Sequence, residues 1–174
     1  MLFKATTALA ALLLSGAGAA AQGGSAPTDP QIAHIAYTAG NIDIKAAEFA
    51  LQKSKNKDVR AFAQDMVRDH KAVNEKALAL LKKLNVTPQN NDTSKALLKR
   101  ANEKEAELKK LRGAAFDRAY AEQEVAYHKS VNGSLETTLI PAASNAELKD
   151  LLTTGLKLFQ GHEQHAEELA RSLK

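Results

Sequence analysis

Apolar residues recur at steps of three and four along most of the chain, and no stretch shows the strict alternation of a half-buried strand. The first such run predicts a helix over 30–54. Ile32, Ala36, Ala39, Asp43, Ala46 and Ala50 form its stripe, with Ile35, Ile42 and Phe49 alongside. Asp29 is placed to cap it and Pro30 suits its first position. The stripe is mostly small, so a neighbouring helix can approach closely. A second helix is predicted over 57–85, where Val59, Ala63, Met66, His70, Val73, Ala77, Leu80 and Leu84 keep a heptad-like rhythm. The segment "NVTPQNNDT" ends it with turn chemistry.

A shorter, more polar helix follows over 93–112, with Thr93 or Ser94 as its cap and Leu97, Ala101, Leu108 and Leu111 as a narrow stripe. Gly113 marks a break. A fourth helix runs over 114–139, and Pro141 follows its end. "SNAE" at 144–147 has capping-box spacing and opens the last helix. There Leu148, Leu152, Gly155, Phe159, His162, Ala166, Leu169 and Leu173 repeat the rhythm. Four long helices and one short polar one predict an all-α protein. The expected architecture is a four-helix bundle with an additional short connecting helix between two antiparallel hairpins.

The first residues read differently. "MLFK" is a short basic lead, "ATTALAALLLSGAGAA" an apolar run too short for a comfortable membrane span, and "AGAAAQ" offers small residues for cleavage. Residues 1–21 are expected to be a signal peptide, 22–29 a flexible leader, and 30–174 a single helical-bundle domain. Export to the periplasm follows. The mature chain is expected to contain no transmembrane span.

Net charge is +4 over 174 residues, with basic and acidic residues interspersed along the predicted helices. That is a solvated surface and not a nucleic-acid footprint. The chain has no cysteine, so an exported fold here must stand on its core without disulfides. An envelope protein or a second copy of the chain remain the partner classes.

Each long helix carries a polar side chain near its middle, on or beside the apolar stripe: Asp43, His70, His128 and His162. In an antiparallel bundle, mid-helix positions meet at a common height whichever way each helix runs. These four are therefore candidates for one buried site. A buried imidazole needs a hydrogen-bond partner or a metal. Glu124 shares a helical face with His128, and His165 lies close to His162, so both are accessory candidates. Three imidazoles with one or two carboxylates suit Zn, Fe, Mn or Cu. The competing expectation is a hydrogen-bonded polar layer without metal. His34, sharing a face with Thr38, Asn41, Lys45 and Glu48, reads as surface.

Two motifs fail on spacing. "HEQH" at 162–165 has its histidines three apart, one short of the zinc-protease pattern. "EVAYH" places Glu124 four before His128, whereas the di-iron bundle signature requires three. There is no phosphate loop. Ser130 and Ser134 lie near His128 but have no evident oxyanion hole.

"NIDIKAAEFALQKSKNKDVRAFAQDMVRDHKAVNEKALAL" together with "LRGAAFDRAYAEQEVAYHKSV" resembles the bacterial family catalogued as domain of unknown function 4142, and "LKLFQGHEQHAEELA" is compatible with its last helix. The resemblance covers about residues 30–172. It implies a ferritin-like bundle in exported proteins and supplies no established reaction. It places the family's acidic first-helix position on Asp43, where Glu is more usual. The family's Asp-His pair falls on Asp69 and His70, and its later histidines on His128 and His162. Two departures stand out: Tyr127 occupies a position where an acid often precedes the histidine, and Lys157 one where Pro is common.

The functional expectation is an exported bundle used in envelope-associated binding or stress protection, with a mid-bundle metal site and no assigned catalytic group. A metal-dependent redox enzyme or metal store is the first alternative, and a purely structural interaction module the second.

Overall fold

The computed structural model describes residues 26–174. The expected signal peptide and residues 22–25 of the leader lie outside the described residues. Helix α1 spans Asp29–Lys53, α2 Lys57–Lys83, α3 Asp92–Lys109, α4 Gly113–Ser134, α5 Ile140–Ala142 and α6 Ala146–Ser172. A π-helical turn, Leu135–Leu139, joins α4 to α5. The protein is an all-α bundle, and no strand occurs among the described residues.

The helix starts follow local chemistry, with three changes from the sequence expectation. Thr28, not Asp29, precedes α1, and its backbone N–H donates to Gln31 Oε1 at 3.0 Å. Asp29 has a longer-range task. Its carboxylate accepts from the backbone N–H groups of Ser144 and Asn145 at 2.8 and 2.9 Å, tying the start of α1 to the start of α6. Asn145, not Ser144, caps α6 by accepting from Leu148 N at 3.0 Å. Asn56 caps α2 in the same way, and Asn91, not Thr93 or Ser94, caps α3 by accepting from Ser94 N. Asn85 ends α2 at a positive φ of 53°, with Val86 N bonded back to Leu81 O, a Schellman closure. Gly113 opens α4 at φ 55°, a conformation that favours glycine.

Helices α1 and α2 form one antiparallel hairpin, and α4 and α6 the other. Between them α3 runs beside α1 and parallel to it. Asn91 Nδ2 donates to Gln31 O at one end, and Lys53 Nζ donates to Leu108 O and Lys109 O at the other. That ammonium neutralises the carbonyl end of α3 and also lies 5.1 Å from the rings of Phe49 and Phe116. The chain thus crosses the full height of the bundle before α4 begins, and α2 and α4 run the same way.

Two apolar clusters line the interior. Phe62, Met66, Phe116, Tyr120 and Ala166 belong to the cluster at one end. Ile32, Leu139, Leu148, Leu152 and Phe159 belong to the other. Along each long helix the two clusters are separated by the polar residue singled out from the sequence. In α2 the buried stripe follows Val59, Ala63, Met66, His70, Asn74 and Leu81, while Val73, Ala77, Leu80 and Leu84 are only half-buried. No helix among the described residues is long and apolar enough to cross a membrane.

Candidate metal centre

Asp43 from α1, His70 from α2, Glu124 and His128 from α4 and His162 from α6 meet between the two apolar clusters, none more than 6% exposed. Mid-helix placement brings them to one height, as the sequence expectation required. Asp43 Oδ2 lies 3.4 Å from His70 Nε2 and 3.4 Å from His128 Nε2. The three imidazole rings stand 5.3 to 5.8 Å apart, centroid to centroid. Two overlapping donor sets result, His70 with His128 and His162, and Asp43 with Glu124 and His128. Within each set the ligand atoms lie within 4.8 Å of one another.

Two tautomers are fixed by their partners. His128 Nδ1 lies 3.0 Å from the Glu124 carbonyl oxygen, which can only accept, so Nδ1 carries the proton and the Nε2 lone pair faces Asp43. His162 Nε2 donates to Asp69 Oδ2 at 3.1 Å, which leaves the Nδ1 lone pair turned away from that carboxylate. Asp69 is itself gripped by Arg68, whose Nε and Nη2 donate to its two oxygens at 2.7 and 3.0 Å. Phe159 stacks on His70 with centroids 4.6 Å apart.

Seven polar atoms of the cluster are buried and find no hydrogen-bond partner within the protein: Asp43 Oδ1 and Oδ2, His70 Nδ1 and Nε2, Glu124 Oε2, His128 Nε2 and His162 Nδ1. A hydrogen-bonded core would pair nearly all such atoms. Burial sets their protonation. It pushes the Asp43 carboxyl up to about 8. It also pushes Glu124 well above the usual carboxylate range, with the Asp43 charge adding to the effect. Burial holds His70 down to about 2, helped by the neighbouring His128 and His162. His128 is held down to about 4 by burial, with its bond to the Glu124 carbonyl pulling the other way. His162 is also lowered by burial, against the opposing pull of Asp69. The result is an uncharged nest of three nitrogen donors and two carboxyls near neutrality.

The family described as Domain of unknown function (DUF4142) matches residues 14–169. The chain belongs to this family. No curated protein and no solved structure matches it. Of the two positions noted as departures in the sequence, Tyr127 uses its hydroxyl to donate to Ala39 O at 2.8 Å, bracing α4 against α1. At Lys157 helix α6 continues unbroken from Ala146 to Ser172.

His165 is not brought to the cluster. It is exposed, with its ring edge-on to Phe62 at 5.1 Å. His34 is half-buried beside a buried Thr38, whose hydroxyl lies 3.4 Å from His34 Nδ1. Glu163 turns outward to accept from Asn132 Nδ2 at 2.8 Å. Periodicity alone did not reveal Asp69, which lies one residue off the α2 stripe and entered only through the family's Asp-His pair. It also missed Asn74, although four residues after His70 is the same helical face. Asn74 Nδ2 donates to Asn41 Oδ1 at 3.2 Å.

Proposed function

We propose that the protein is an exported bundle of ferritin-like architecture that binds one transition-metal ion at mid-height, through Asp43, His70, His128 and His162 with Glu124 in support. The observation that carries this reading is the approach of His128 Nε2 to Asp43 Oδ2. A lone pair and a carboxyl oxygen face each other at 3.4 Å, both buried, and neither has a hydrogen-bond partner. Two ligands held about 2.1 Å from a tetrahedral ion lie about 3.4 Å apart, so the spacing suits a shared cation. His70 Nε2 and Asp43 Oδ2 keep the same separation. Because His128 belongs to both donor sets, one ion satisfies the site better than two.

The ferritin-like reading draws support from the connectivity, two hairpins joined by one long crossover, which is that of ferritin-like bundles. The donor set of three imidazoles and carboxylates fits Zn, Fe, Mn or Cu. His162 gains the outer carboxylate that metal-bound histidines commonly have, here Asp69. Export rests on the basic lead and apolar run of residues 1–21. In the envelope, a buried site of this kind serves metal binding or protection from metal-driven stress.

The test is elemental analysis of the protein purified without chelator or nickel resin, beside a His70→Ala/His128→Ala double variant. One equivalent of metal in the first and none in a still-helical second is expected. No metal in either, after incubation with Zn, Mn, Fe and Cu in turn, rejects the reading.

A further inference from the structure

The apolar half of the bundle nearest the start of α1 is not filled. A cavity of about 590 Å³ runs through it from the rim at Asp92 and Thr93 to His70 and His128. Protein interiors rarely hold voids larger than a water molecule, and the cost of a void grows with its volume. A space of this size therefore points to an occupant, and it falls within the range of small-molecule sites. Small residues keep it open: Ala36, Ala77 and Gly155 all line it. The π-helical turn contributes Leu135, Thr138 and Leu139 to its wall. Such turns concentrate at functional sites.

The wall defines the chemistry of the occupant. Its apolar lining is dominated by aliphatic side chains such as Leu81, Leu148 and Leu152. No lysine or arginine among the described residues lines it, so an anionic head group would be buried without a counter-charge from them. At the inner end His70 and Asn74 offer hydrogen bonds. His70 and Leu81, both on α2, are eleven residues apart, so the cavity extends along roughly 16 Å of helix. That length suits an extended alkyl chain.

We infer that this cavity binds a single-chain aliphatic molecule with an uncharged hydrogen-bonding end group, its chain along the cavity and its end group against His70. The inference stands whether or not metal occupies the neighbouring cluster.

Decanol and decanoate, titrated calorimetrically at pH 8 with and without chelator, test it. Decanol is expected to saturate at one molecule per chain in both conditions, with decanoate at least tenfold weaker. Ala77→Phe, which fills the cavity from α2, is expected to weaken decanol at least tenfold while the unfolding midpoint is retained. Ala36→Phe does the same from α1 and serves if the first variant does not fold. Absence of saturable decanol binding overturns the proposal. So does decanoate binding as tightly as decanol, or undiminished binding in the filled variants. Dimerisation by light scattering, in a chain that ignores decanol, would assign the space to a second copy and equally overturn it.

Discussion

Asp69 accepts the Nε2 proton of His162 at 3.1 Å while Arg68 holds the same carboxylate from the solvent side. Arg68 keeps Asp69 below the usual carboxylate range, so it is charged at neutral pH and fixes the His162 tautomer. The chain Arg68–Asp69–His162 therefore links the surface to the buried cluster and orients one of its donors.

Asp69→Ala should weaken metal binding roughly 10–100-fold, the usual cost of losing an outer carboxylate behind a ligating histidine. Helicity should be unchanged, because Asp69 is partly exposed and reaches the core only through its hydrogen bond to His162. Competition titration against a chromophoric chelator checks the affinity, and circular dichroism the fold. Unchanged affinity would remove Asp69 from the site.

The pH dependence of stability follows from five shifted groups. Asp43 and Glu124 are raised in the folded state, so their contribution is complete below the unfolded value near 4 and is lost as pH rises, for Asp43 through about 8. His70, His128 and His162 are lowered, so theirs is present above 6.5 and is lost as pH falls, towards about 4 for His128 and about 2 for His70. Between roughly pH 5 and 6.5 the imidazoles and the carboxyls oppose each other. Above 6.5 the carboxyls act alone. Metal-free protein is therefore expected to lose stability from about pH 6.5 towards pH 8. Metal replaces the carboxyl protons, so loaded protein should gain stability over that range and release protons on binding. Thermal unfolding of both forms from pH 5 to 8.5 is the measurement, and a metal-free optimum at pH 8 would contradict it.

Much of this was legible in the chain because an amphipathic helix writes its buried face into its spacing. His70 stood out because it occupied a position that Val59, Ala63 and Met66 had marked as apolar. Further along α2 the legibility faded. A strict seven-residue repeat drifts against a helix of 3.6 residues per turn, so the buried face passes to Asn74 and Leu81 while Ala77 and Leu84 fall half outside. The π-helical turn at Leu135–Leu139 left no mark in a pattern that reads as continuous helix to 139. Contacts between helices were the hardest to foresee. Asp69 meets His162, and Asp29 meets the start of α6, only once the hairpins have packed, and spacing within one helix cannot report either. The same limit made His165 a plausible neighbour of His162 in sequence, although three residues on it faces solvent.

Gly40 shows how tightly α1 and α2 approach beside the site. A Cβ at this position would lie 2.3 Å from Asn74 Oδ1. Gly40→Ala should therefore displace Asn74, break its bond to Asn41 and destabilise the protein by roughly 1–3 kcal/mol, the range for overpacking a buried contact. Adding Asn74→Ala should recover part of that loss, since the clash disappears. Urea unfolding of the two variants and the parent checks the sign of the coupling. Additive effects would mean that the two residues do not press on each other.

Asp43→Asn separates a metal site from a purely structural polar layer. The amide has nearly the shape of the carboxyl but never ionises. If Asp43 is a neutral acid in the metal-free fold, the variant should exceed the parent in stability at pH 6 and by more at pH 8, because over that range the unfolded parent gains stability by ionising while its folded carboxyl keeps its proton. Metal affinity should fall sharply, because an amide oxygen is a poor substitute for a carboxylate on a transition metal. If instead Asp43 is an ionised acceptor for His70 and His128, the variant should be less stable at both pH values. Unfolding midpoints at pH 6 and pH 8, read beside a metal titration of the same samples, distinguish the two outcomes. The first pattern leaves the carboxyl as a ligand held in reserve by a proton. The second makes it a structural brace.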